Sequence, residues 1–95
     1  MIIGTMKITL YAPWVRSLKE KRMVVKSLCG KAAAKFNISV SEIEAQDVHQ
    51  TIVIGIACVT NETAFCDSVL SNVLTFIESN TEAEVIKVEK EMIQG

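Results

Sequence analysis

Glycine occurs four times, proline once and histidine once in 95 residues, and no stretch is of low complexity. The chain therefore lacks the punctuation of linkers and is expected to be a single domain, residues 1–95. Three cysteines (Cys29, Cys58, Cys66) are odd in number, have no Cys-x-x-Cys spacing and lie in apolar runs. They exclude a disulfide framework and supply too few ligands for zinc, so reduced thiols in a cytoplasmic protein, with no metal or other cofactor, are expected. No apolar run is long enough for a membrane span, and Lys7 interrupts the apolar N-terminus, so neither a membrane association nor a leader is expected. Net charge of either sign is also nearly missing, at −1. What is present is a split. Residues 1–40 carry a net +7, with Glu20 the only acid, and residues 41–95 carry a net −8.

Residues 2–11 alternate, with Ile2, Met6, Ile8 and Leu10 on one face, which predicts a half-buried strand that Pro13 ends. Ser17 and Glu20 form a capping box before a helix over 18–36, whose apolar arc is Leu18, Val25, Leu28, Cys29, Ala32 and Phe36. Asn37 suits a left-handed helix terminus. A second strand falls within 38–46 and a hairpin connection at 46–50. Residues 51–59, apolar on both faces, read as a central strand. Asn61 is the expected N-cap of a second helix to residue 79, and 83–92 suit an exposed edge strand. The order β-α-β-β-α-β predicts an α+β ferredoxin-like sandwich, a four-stranded antiparallel sheet with both helices on one face.

The uncovered face would expose a strip of small residues, Ile3, Thr5, Val53, Gly55, Ala57 and Val59. Such a strip marks a contact surface, and a homodimer is the economical partner. RNA-binding modules that use this face stack bases on aromatics there, and the third strand has none.

Seven of the eight early basic residues lie on or beside the first helix. At about 100° per residue, Arg22, Lys26 and Lys19 fall about 40°, 80° and 100° from Leu18, and Lys31, Lys35 and Lys21 about 220°, 260° and 300°. Two rows thus flank the apolar arc. Arg16, Lys19, Arg22 and Lys26 form the candidate anion- or nucleic-acid-binding patch, against the blander reading of lysines snorkelling at the helix–sheet boundary. Between the rows runs a small, weakly polar arc, Met23, Ser27, Gly30 and Ala34.

No catalytic constellation emerges, and an enzyme is not expected. His49 has no oriented partner, and the thiols fall on buried arcs. A phosphate-ester site at Arg16 would rely on the loop Ala12-Pro13-Trp14-Val15, which has no glycine and lacks one amide at Pro13.

The runs Arg16-Ser17-Leu18-Lys19-Glu20-Lys21-Arg22, Phe36-Asn37-Ile38-Ser39-Val40-Ser41-Glu42 and Gln46-Asp47-Val48-His49-Gln50, with Ile54-Gly55, resemble the YlxP-like family, small bacterial proteins classed as a domain of unknown function. The resemblance spans nearly the whole chain and implies a ferredoxin-like fold. The family's genes often neighbour those for translation initiation and ribosome maturation, which implies a translation-linked role. It carries no catalytic residues across. His49 is a departure, since some relatives have Trp there. The expectation is a non-enzymatic, homodimeric module that binds ribosomal RNA or a ribosome-associated protein through its first helix. The alternative is a homodimeric small-ligand or protein-interaction module that binds no nucleic acid, its basic helix paired with the acidic half.

Overall fold

Alternation in the first ten residues produces strand β1 (Ile2–Tyr11), with Ile2, Gly4, Met6, Ile8 and Leu10 buried and Ile3, Thr5, Lys7 and Thr9 half-buried. In the computed structural model, which describes residues 1–95, there follow α1 (Leu18–Lys35), β2 (Ser39–Glu44), β3 (Thr51–Thr60), α2 (Thr63–Ser79) and β4 (Glu84–Gln94). The strands stand in the order β2-β3-β1-β4, and every neighbouring pair is antiparallel. This is the ferredoxin-like α+β sandwich that the element order predicts. The central strands β1 and β3 are the two most apolar ones, and α2 lies over both while α1 lies over β2 and against α2. One core joins them, built on Met6, Ile8, Leu10, Ile52, Ile54, Leu70, Val73 and Ile77.

The close approach of α2 to β1 depends on Gly4. A Cβ there would collide with Cys66 Sγ and stand 3.0 Å from Leu70 Cδ1 and 3.3 Å from Met92 Sδ. Gly4→Ala is therefore expected to destabilise the domain by about 1–3 kcal/mol through overpacking. A urea midpoint unchanged from the parent protein would refute this.

Both edges of the sheet are irregular. The β1–β4 register shifts between Thr9 and Leu10, and the β2–β3 register between Glu42 and Glu44. Since Thr9 and Glu44 both pair with Val53, the two bulges sit at the same level of the sheet.

Local details depart from the sequence reading in several places. The N-cap of α2 is Glu62, not Asn61, and its side chain makes no capping bond; the Thr60 hydroxyl donates instead to the Glu62 carbonyl at 2.9 Å. Helix α1 ends at Lys35, and its C-cap Phe36 is extended, donating its N–H to Ala32 O. Asn37 is not left-handed. The only non-glycine residue with positive φ is Ala45, at 57°, in the β2–β3 connection.

The open face is less open than its pattern implies. Val53, expected in the exposed strip, is only 6% exposed. Strands β2 and β1 flank β3, and Glu44 and Lys7 reach across it to pair at 2.7 Å. Gly55 lies under Ile43, whose Cγ2 is 2.8 Å from where a Cβ would stand. Ile3, Thr5 and Ala57 are half-buried, and of the six strip residues Val59 alone is fully open. Glu89 also approaches Lys7 at 3.6 Å and Lys87 at 3.5 Å, so a charged row crosses this face from edge to edge. The Glu44 hydrogen bond, aided by Glu89, holds the Lys7 ammonium above its ordinary pKa.

Candidate functional site

Helix α1 starts on a reciprocal cap. Ser17 Oγ accepts the Glu20 N–H at 3.1 Å, and Glu20 Oε1 accepts the Arg16 N–H at 2.7 Å. The Glu20 carboxylate thus already takes up the Arg16 amide, one of the backbone donors beside this helix start.

The buried stripe of α1 is Lys21, Val25, Leu28 and Ala32, while Leu18, Cys29 and Phe36 are only half-buried. Relative to the apolar arc read from sequence, the helix is turned by about 30° at 100° per residue. The cause is Lys21, whose side chain is 1% exposed. Its ammonium donates to Ala45 O at 2.6 Å and Val48 O at 2.7 Å, and lies 2.7 Å from Glu42 Oε2 in an ion pair outside hydrogen-bond alignment. A charged residue counted among the surface cations is in fact the clamp between α1 and the β2–β3 connection. It also accounts for the left-handed Ala45, whose carbonyl is turned toward Lys21.

The turn of the helix changes its charged surface. Four of the ten cations are in ion pairs: Lys7 with Glu44 and Glu89, Lys21 with Glu42, Lys87 with Glu89, and Lys90 with Asp67. The other six, Arg16, Lys19, Arg22, Lys26, Lys31 and Lys35, make none, and all are exposed on α1 or just before it. Arg16, Lys19, Arg22 and Lys26 line one side of the helix, which the rotation carries nearer the outward pole. The opposite row breaks up: Lys21 is buried, and Lys35 lies over the Phe76 ring at 5.0 Å and that of Phe36 at 5.9 Å. Of the acids that might have neutralised the helix, Glu89 is occupied by lysines of the sheet, and neither Glu84 nor Glu91 forms an ion pair.

Gly30 stands on the outward side of α1, and a Cβ built there meets nothing within 4 Å. No intramolecular contact calls for glycine at this helical position. Gly30→Ala is expected to stabilise the domain by about 0.5–1 kcal/mol, raising the melting temperature by a few degrees. A lower melting temperature would contradict it.

The thiols have no activating surroundings. Burial, and then the Glu42 carboxylate, raises the Cys29 pKa; burial, and then Cys66, raises that of Cys58. The Cys58 and Cys66 sulfurs lie 3.8 Å apart, both free. Folded thiols that keep their protons above the ordinary 9.0 mean that the unfolded chain binds fewer protons there, so stability falls as pH rises. Lys7 acts in the same direction above 10.5. Melting temperature is therefore expected to decline from about pH 9 upward; a flat profile to pH 10.5 would count against these assignments. His49 and Asp47 are exposed and hydrogen-bond to nothing. No three His, Cys, Asp or Glu side chains gather as metal ligands, and no helix is long and apolar enough to cross a membrane.

The Bacillus subtilis (strain 168) protein YlxP, described as uncharacterized, is 44% identical over 68 residues, which cover 72% of this chain and 74% of that one. Among solved structures, the de novo designed protein Foldit4 superposes with a TM-score of 0.53 at 10% identity, covering 99% of this chain and 97% of that one, a likeness of fold alone. The family model described as "Protein of unknown function (DUF503)" matches residues 3–90. With a match across nearly its whole length and a YlxP relative of this similarity, the chain belongs to the DUF503 family.

Proposed function

We propose that this protein is a non-enzymatic cytoplasmic module that binds RNA phosphates, on the ribosome or a ribosome-bound partner, through α1. One observation carries the reading: the six cations without a carboxylate partner all cluster on α1 and its entry, while every lysine of the sheet is paired. Unneutralised charge on one helix is costly to concentrate and is relieved by a polyanion. Lys19, Arg22 and Lys26 succeed one another at about 4.5 and 6 Å along the helix axis, suited to a run of backbone phosphates. The three free thiols, two of them buried, support a reducing compartment, and the translation-linked gene neighbourhood of YlxP-like proteins supports the ribosome as the place.

Co-sedimentation with ribosomal subunits across a salt series tests this. Four phosphate contacts from Arg16, Lys19, Arg22 and Lys26 give a log–log salt slope of about −3, or about a 50-fold loss of affinity between 50 and 200 mM salt. No binding at the lowest salt, or a flat response, would refute the reading.

For the open face, self-association is favoured by one row: Val59, Ile3 and Ile93 are in register across β3, β1 and β4, with Val59 64% exposed. Val59→Glu should convert a dimer to a monomer in sedimentation equilibrium. A wild-type protein already monomeric at high concentration would exclude this use of the face.

A further inference from the structure

A groove of about 340 Å³ runs between α1 and the turn before β4. One wall carries the indole of Trp14, 38% exposed, beside Met23; the other is polar, formed by Asn80, Thr81 and Glu82. At Met23 and Ser27 the groove opens onto a saddle on the outward side of α1. Ser27, Gly30 and Ala34 form the floor of the saddle, and Lys26 and Lys31 form its sides. Neither lysine has a carboxylate partner, and the space above Gly30 is empty.

We propose that groove and saddle together seat one nucleotide unit of single-stranded RNA, with its phosphate between Lys26 and Lys31 and its base against Trp14. This rests on α1 being an RNA-binding face and adds a base-stacking subsite to it. The two halves differ in chemistry as the two halves of a nucleotide do. The saddle offers positive charge over a low floor, so that a phosphate can settle near the helix. The groove offers one flat apolar wall and one hydrogen-bonding wall, which match a base's π-face and its edge. The Asn80 amide already donates to Phe76 O at 2.8 Å, so its oxygen is left open, and Glu82 makes no ion pair. The Glu82 carboxylate repels a phosphate from the groove and fixes the polarity: backbone over the lysines, base toward the turn. At about 1.5 Å per residue, Ser27, Gly30 and Ala34 succeed one another at about 4.5 and 6 Å along the helix axis, and Lys26 and Lys31 stand about 7.5 Å apart, so one phosphate can lie between the two lysines.

Trp14 is the only tryptophan, so its emission reports this subsite directly. The experiment titrates the protein with a fluorescently labelled ten-residue oligo(A) and with an abasic ribose-phosphate oligomer of equal length. Anisotropy reads binding, and tryptophan emission reads stacking. Oligo(A) should bind and quench Trp14, and the abasic oligomer should bind without quenching. Trp14→Ala should weaken oligo(A) about tenfold or more and leave the abasic oligomer unaffected, while Trp14→Phe should retain most of the affinity. Should Trp14→Ala fail to fold, the Phe variant and the wild-type emission decide the matter. Binding of oligo(A) with unchanged emission overturns the subsite and leaves the basic-face reading intact. Failure of both oligomers to bind overturns both. Quenching by a glutamate-rich peptide in place of oligo(A) assigns the groove to a protein partner and overturns the RNA subsite.

Discussion

Replacing Lys21 with methionine is expected to lower the melting temperature by about 15–20 °C. The substitution keeps the volume of the stem but removes the ammonium that pairs with Glu42 and satisfies the carbonyls of Ala45 and Val48. Removing one partner of a buried ion pair costs about 3–5 kcal/mol, since the other charge is left uncompensated. Glu42 is 17% exposed and recovers some hydration, which favours the lower end of that range. At about 4–8 °C per kcal/mol for a domain of this size, the lower end corresponds to the drop stated. The double variant Lys21→Met with Glu42→Leu should recover much of the loss, because replacing both members of a buried pair by apolar groups is often neutral. A single variant that melts within about 3 °C of the parent would show that the clamp contributes little.

Reversing Lys19, Arg22 and Lys26 to glutamate should do the opposite: leave folding alone and abolish the proposed RNA binding. None of the three makes an ion pair and all are exposed, so each substitution falls in the class that changes stability by about 0.5 kcal/mol or less. Glutamate near the start of α1 is also favoured by the helix dipole. The change replaces three attractions to phosphate with three repulsions, and affinity at low salt is expected to fall by about 100-fold or more, with the salt slope flattened toward zero. Thermal melting and ribosome co-sedimentation on the same preparation separate the outcomes. Collapse of the melt would return these charges to a structural role, and undiminished binding would move the RNA contact elsewhere.

The fold was legible because its signals are periodic. Alternation in β1, the two-faced apolar run of β3 and the Ser17–Glu20 cap each have one physical reading, and together they allow few topologies. The departures are all tertiary. Lys21 falls in a charged row on a helical wheel, and nothing local reveals that two carbonyls and a carboxylate from a distant hairpin await it. Its burial turns α1, so the outward direction of the remaining cations could not be fixed from α1 alone. Val53 has the spacing of an exposed strip residue, but Glu44 and Lys7 meet across its strand, a contact that depends on the β2 bulge. Asn61 is a better N-cap by type than Glu62, yet α2 begins one residue later, with Glu62 at the cap and the Thr60 hydroxyl bonded to its carbonyl. The split of charge placed most of the cations on α1; which of them lack a carboxylate partner emerged only from the packing.

The paired bulges bear on how such a module behaves in a crowd. A protein that collects along a polyanion brings many copies together, edge beside edge, at local concentrations far above those in solution. An unbroken flat edge strand would then template the next copy, and the array would zip into an extended sheet. Here the short edge β2 and the long edge β4 are interrupted at the same level, and β4 carries Lys87, Glu89, Lys90 and Glu91 besides. Neighbouring copies meet kinked ladders and fixed charges in place of open hydrogen-bonding rows. On the RNA-binding reading proposed above, crowding along the polyanion would therefore stay reversible, a matter of counterions and not of fibres.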